Sequence, residues 1–117
     1  MNAQKIKNDL LHFNGTNQYF KNPLFPSINY TDGIVYVRKF CQANWLIIDI
    51  LVGITELKKP DFLNITLKVN PNGTAQLFFD DGNDNILKIQ DYPLTDFPLE
   101  KINFFYENDV LYLPSER

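Results

Sequence analysis

Apolar residues recur at helical spacing in the first half of the chain and at every second position in the second half. Ile6, Leu10 and Phe13 fall at i, i+4 and i+7 with Lys5, Asn8 and Asp9 opposite, which predicts a short amphipathic helix that Asn14-Gly15 ends. From 16 to 30, two prolines, several amides and scattered aromatics predict an ordered loop pinned by Tyr19, Phe20, Leu24 and Phe25. Thr31-Asp32 offers N-cap oxygens for a second helix in which Val37, Phe40 and Cys41 share the inner face and Arg38 and Lys39 the outer. Asn44 can cap a third helix from Trp45 to Ile54, apolar nearly all round and so expected at the centre of the fold, although its β-branched content keeps a buried strand in competition.

Lys58-Lys59-Pro60 marks a change of class. Beyond it, Leu63, Ile65, Leu67 and Val69 alternate with Phe62, Asn64, Thr66 and Lys68, the period of a half-buried strand. Asn70-Pro71-Asn72-Gly73 and Asp80-Asp81-Gly82-Asn83 are turns between this strand and two more, over 74–79 and 85–90. A loop bracketed by Pro93 and Pro98 leads to a last hairpin, 102–106 and 110–113, turning at Glu107-Asn108-Asp109. The expected architecture is α+β, with two or three N-terminal helices packed on one face of a roughly five-stranded antiparallel meander sheet. At 117 residues this is one domain, its helical half at about 1–59 and its sheet half at about 60–117.

Composition fits that picture: 44% hydrophobic and 15% aromatic residues belong to a packed globule with an aromatic-rich core. One cysteine, Cys41, excludes an internal disulfide, and with His12 as the one histidine no structural zinc site is expected. No cofactor is expected either, since the five glycines are dispersed and form no phosphate-cradling motif. The first residues lack the apolar core of a secretory signal, and no apolar run approaches the roughly 20 residues that span a bilayer, so a cytoplasmic protein without a membrane partner is expected. Four Asn-x-Thr sequons, at Asn14, Asn29, Asn64 and Asn72, are ascribed to general asparagine richness.

Charge divides the chain where the pattern does. Residues 1–59 carry seven Lys/Arg against four Asp/Glu, whereas residues 60–117 carry four against ten. The acidic second half disfavours nucleic acid, whose phosphates need clustered cations, and suits a basic partner or simple solubility. The segment Tyr36, Arg38, Lys39, Phe40 alone interleaves basic and aromatic residues, and the helix reading turns Phe40 inward.

Six short blocks carry a resemblance: Phe13-Asn14-Gly15-Thr16 with Tyr19, Tyr30-Thr31-Asp32-Gly33, Trp45-Leu46 with Asp49, Asp81-Gly82-Asn83, Thr95-Asp96-Phe97-Pro98-Leu99 and Leu113-Pro114-Ser115-Glu116. In that order, from about Phe13 to Glu116, they resemble the uncharacterised bacterial and mobile-element family "domain of unknown function 6876". The 22–28 loop is longer than in that pattern. The family supplies no activity, cofactor or catalytic residue; the resemblance implies a phage or mobile-element setting, in which small accessory proteins bind host machinery.

Candidate chemistry is sparse. Asp49 lies in the most apolar helix, where a carboxylate must be paired, hydrogen-bonded or protonated, and it serves either packing or function. Asp32 and Asp96, each following a threonine, are explained by capping or Asx-turns but could converge with Asp49 and His12 into a small catalytic or ligand-binding centre. Asp80, Asp81, Asp84 and Asp91 form the acidic surface of a binding face; a hairpin turn accounts for Asp81-Gly82, and no EF-hand spacing is present. The leading expectation is therefore a non-enzymatic protein-binding module, with a small enzyme centred on Asp49, Asp32 and Asp96 as the alternative. Homodimerisation is a third reading, through an edge strand in the final hairpin, whose Phe104, Phe105, Tyr106 and Tyr112 would supply aromatic surface.

Overall fold

A computed structural model describes residues 2–117. Helix α1 spans Ala3–Leu11, and the Asn2 side chain caps it by accepting from the Gln4 and Lys5 amides. Strand β1 (Asn29–Tyr30) is followed by α2 (Asp32–Phe40) and α3 (Asn44–Glu56). The sheet half supplies β2 (Phe62–Val69), β3 (Ala75–Asp80), β4 (Ile86–Tyr92), β5 (Lys101–Glu107) and β6 (Val110–Tyr112), and a short 3-10 turn, Pro114–Glu116, follows. The α+β class and the helix-then-sheet order stand as the residue pattern predicts.

The sheet departs from expectation in strand number and order. Six strands run β1-β6-β5-β2-β3-β4, all antiparallel except that β1 lies parallel to β6. Only β2, β3 and β4 form a meander; β5 crosses back to pair with the free side of β2. The sixth strand comes from the supposed connecting loop, where Asn29 and Tyr30 pair with Val110 and Leu111 and Tyr30 also bridges to Phe20. Two residues are too few for a period-two signal, so only the partner strand makes this one visible. The loop is anchored by buried Ile28 and by Phe20 and Phe25 packed on the core, whereas Tyr19 and Leu24 point to solvent.

Strand alternation places Leu63, Ile65, Leu67, Ala75, Leu77, Phe79, Ile102, Phe104, Tyr106 and Leu111 in one buried cluster with the inner faces of the helices. Helix α3 is the central helix, burying Leu46, Ile47, Ile50, Leu51, Gly53 and Ile54. Gly53 sets how closely it approaches the sheet, since a Cβ there would overlap the buried ring of Phe79. Asn44 is the first residue of α3 rather than its cap, which is Ala43. On α2, Ile34 and Val37 face inward, as does the C-cap Cys41, but Phe40 does not: it is 65% exposed and stacks on Tyr36 at 4.9 Å. The two aromatics, four residues apart, form a ridge on the helix surface with Phe13 against Tyr36.

At Pro60 the chain turns through Lys58 and Lys59, both at positive φ, a conformation costing on the order of 1 kcal/mol per non-glycine residue. Lys59 Nζ lies 3.0 Å from Asp109 Oδ1, which ties the helix–sheet boundary to the turn of the last hairpin.

Candidate functional site

The intervening positions of each strand form the outer face of the sheet, opposite the side that joins the core cluster. There Phe62, Asn64, Thr66 and Lys68 of β2 stand opposite Glu107, Phe105, Asn103 and Lys101 of β5, with Gln76, Phe78 and Asp80 of β3 on the other side. The aromatic rings are already occupied. The Arg117 guanidinium sits over Phe62 and Phe105 at 5.5 and 5.2 Å, and Lys68 Nζ over Phe78 at 5.4 Å. The Thr66 hydroxyl donates to Asn103 Oδ1 and the Asn64 amide to Asp80, while Asn64 Oδ1 is buried without a partner among the described residues, so this face is mixed in charge and incompletely satisfied. A hollow of about 540 Å³ opens between Arg117 and the β3–β4 turn.

The open edge of the sheet is β4, and it differs from the rest of the surface. Of eight exposed large hydrophobics, four lie on or just after this strand: Ile86 (55% exposed), Leu87 (43%), Ile89 (48%) and Leu94 (77%). The register explains part of this. Lys88 opposes Phe79 and Ile86 opposes Asp80, so Leu87 is the extra residue of a bulge and Ile86 joins Ile89 and Asp91 on the outer face. Local chemistry fixes the hairpin. Asp81 accepts from the Asn83 amide (2.8 Å) and the Asn85 side chain (2.8 Å), Asp80 accepts from the Gly82 amide, and Gly82 and Asp84 take positive φ. The Asn85 side chain first, then the Asn83 amide, hold the Asp81 carboxyl below the usual carboxylate range. Asp91 accepts from Gln76 at 2.9 Å. The four carboxylates expected to form a binding surface thus share one edge hairpin, together with the aliphatics Ile86, Leu87 and Ile89, which the residue pattern alone does not mark as surface. The available signal was that Ile86, Leu87 and Ile89 break the alternation, leaving apolar residues on both faces of one strand.

The candidate catalytic set is dispersed. Asp49 is half-buried and accepts from the Tyr92 hydroxyl (2.7 Å) and Gln90 Nε2 (3.3 Å), both from β4. Burial and that bond to Asp49 push the Tyr92 phenol well above its ordinary value, so it stays a donor. Asp32 instead accepts from the Asn17 amide, while its own amide donates to Thr16 Oγ1. Asp96 is exposed in a loop whose local bond is made by Thr95, which accepts from the Phe97 amide. His12 is exposed, with Nδ1 2.7 Å from the Asn8 carbonyl oxygen. These four residues share no hydrogen-bond partner, and among the described residues no three His, Cys, Asp or Glu side chains gather closely enough to hold a metal ion. Burial pushes the Cys41 thiol up to about 11, away from nucleophilic use.

Three of the six blocks that carry the family resemblance, those at 13–19, 30–33 and 113–116, meet at a different corner. Glu116 accepts from the Thr31 hydroxyl (2.6 Å), the Leu113 amide (2.9 Å) and the Gly33 amide (3.2 Å). Thr31 makes no cap bond itself; the carboxylate capping α2 arrives from the far end of the chain. A Cβ on Gly33 would lie 2.5 Å from Glu116 Oε1, so a glycine is needed for this approach. Ser115 Oγ donates to the Leu10 carbonyl, fastening α1 as well. Beside this latch a cavity of about 420 Å³ is lined by Gly15, Thr16, Tyr19, Thr31, Tyr112 and Glu116, among others.

The final hairpin does not offer the dimer edge expected of it. Strand β6 is covered by β1 and β5 is central; Phe104 and Tyr106 are buried, Tyr112 nearly so, and Phe105 lies beneath Arg117. Among the described residues no helix is long and apolar enough to cross a membrane. No curated protein and no solved structure matches the chain. The profile of the family of unknown function (DUF6876) matches residues 4–117, nearly the full length, and the chain belongs to that family.

Proposed function

We propose that this protein is a non-enzymatic protein-binding module that docks a basic partner protein on the β3–β4 hairpin. The observation that carries the reading is the coincidence, on the open edge of the sheet, of Ile86, Leu87 and Ile89 with Asp80, Asp81, Asp84 and Asp91. Exposed aliphatics beside unpaired strand backbone supply contact area, and the carboxylates select partners by charge. The hairpin is held by its own turn, so it presents this surface without prior reorganisation. The wider reading is of a phage or mobile-element factor that inhibits a host or defence protein by occupying its basic surface. A cytoplasmic setting suits the free, buried thiol of Cys41.

The test is affinity capture from a host lysate with the unmodified chain and with Asp81, Asp84 and Asp91 all replaced by lysine. Loss of the captured partners from the reversed, still folded chain is expected. An unchanged set of partners would remove the acidic hairpin from the binding surface.

A further inference from the structure

Strand β4 ends the sheet, and among the described residues nothing pairs to its outer side. An antiparallel ladder uses only alternate backbone groups of an end strand, so the remaining N–H and C=O groups of Ile86–Tyr92 face outward. Both flanks of that open ladder carry carboxylates. On the outer face stands Asp91, one of whose oxygens accepts from Gln76. On the helix side α3 runs alongside β4 and places Asp49 and Glu56 there: Asp49 Oδ2 takes both the Tyr92 and Gln90 bonds, and Glu56 Oε2 lies 3.3 Å from Lys88 Nζ. One oxygen of each helix carboxylate is thus committed and the other is not. Lys88, the only cation of the strand, is turned to α3 and neutralised there by Glu56. What remains for an approaching chain is a hydrogen-bonding edge, apolar Ile86 and Ile89 on one side, and negative charge on both.

We infer that β4 takes an extended, lysine- or arginine-containing segment of a partner protein as a seventh strand. This rests on the proposed function and specifies its mode. Main-chain bonds to β4 give the affinity. Alternate side chains are then read on the two faces, apolar ones beside Ile86 and Ile89 on the outer face and basic ones beside Glu56 and Asp49 on the helix side, with Asp91 adding negative charge at the end of the apolar side. Charge argues against a second copy of this chain as the occupant: the hairpin from Asp80 to Tyr92 carries four carboxylates and one lysine, and a symmetric pairing would bring two such strands together.

The probe is a synthetic peptide of alternating lysine and valine, compared with the same peptide N-methylated throughout, which cannot form a ladder, and with a glutamate–valine peptide. Binding is read by amide chemical shifts and by amide hydrogen exchange of the intact chain. The lysine peptide should bind and protect β4 amides from exchange; the other two should not. Replacing Glu56 and Asp91 together by lysine should weaken the lysine peptide about tenfold or more. Equal binding of the N-methylated peptide would overturn strand addition. So would shift changes confined to another surface, such as the groove between α1 and β5, or protection of β4 in a dimer without peptide. None of these results touches the capture experiment, which alone decides whether the acidic hairpin binds protein. The measurements on the unmodified chain suffice if the doubly reversed variant fails to fold.

Discussion

The two hairpins of the sheet are built from the same local chemistry and meet opposite fates. β3–β4 turns through Asp81 to Asp84 and β5–β6 through Asn108-Asp109, both of the latter at positive φ, and each turn contains an aspartate whose carboxyl is held below the usual range. In β5–β6 that aspartate is tied to the rest of the molecule: Asp109 accepts from Tyr106 and pairs with Lys59, and its carbonyl accepts from the Asn29 amide of β1. In β3–β4 the bonds of Asp81 stay inside the turn. One hairpin is embedded between two neighbours and the other is left at the edge. Position in the sheet, set by the return of β5 to the free side of β2, decides which aromatic or aliphatic side chains are core and which are surface.

The comparison is broken most easily in the core. Phe104 on β5 is fully buried, and Phe104→Ala should cost about 3–5 kcal/mol by leaving a cavity. Ile89 on β4 is 48% exposed, and Ile89→Ala should change stability by less than about 1 kcal/mol. Chemical denaturation of both variants checks the pair; similar losses would mean that β4 is covered in solution, as a dimer edge would be.

A smaller effect is expected at the latch. Glu116→Ala removes a charged acceptor from Thr31, Leu113 and Gly33 and should cost about 2 kcal/mol. Glu116→Gln, which keeps an acceptor oxygen, should recover part of it. Hydrogen exchange should then rise first in α2 and around β6, leaving β3–β4 unaffected. Equal loosening of both hairpins would contradict the separation drawn above.

What the residue pattern encodes locally and what it leaves to the fold divide by the range of the interactions involved. Helices α1 and α2 and strands such as β2 are legible because each carries its own period, as Leu63, Ile65 and Leu67 do in β2, whereas α3, apolar nearly all round, and β4, where Ile86, Leu87 and Ile89 break the alternation, are placed by length and flanking turns. The order of the strands is not legible, since nothing local in Lys101–Glu107 says that it pairs with β2 rather than with β4. Local pattern alone therefore leaves the final hairpin at an edge. Capping shows the same limit: Thr31 was correctly placed at the start of α2, yet the acceptor there is Glu116, far away in sequence. The spacing of Phe40 from Val37 allows an inward side chain, but Tyr36 provides a stacking partner on the surface. At the candidate binding site the four aspartates were legible as an acidic run, whereas the contribution of Ile86 and Ile89 depends on β4 being an end strand.

The smallest expected effect separates the two turns by pH and salt. Asp109 is depressed first by the Lys59 ammonium and then by the Tyr106 hydroxyl, whereas Asp81 is depressed by amides of its own turn. In both, the folded-state carboxyl lies below its unfolded value near about 3.9, so each contributes stability that is fully present above that pH and is lost as pH falls through the folded value. The ion pair is screened by salt, while bonds to neutral amides are screened far less. Urea midpoints measured from neutral pH into acid should therefore show an Asp109→Asn variant that is less stable at neutral pH, with a flatter acid limb and a weaker salt dependence than the parent. Asp81→Asn should lose less, because asparagine still accepts the Asn83 amide in an Asx-turn, and should flatten the acid limb slightly with no change in salt dependence. Were Asp109→Asn to leave the acid limb and its salt dependence intact, the tie between the last hairpin and the Pro60 boundary would carry no energy. The embedded hairpin would then be held by its core side chains alone.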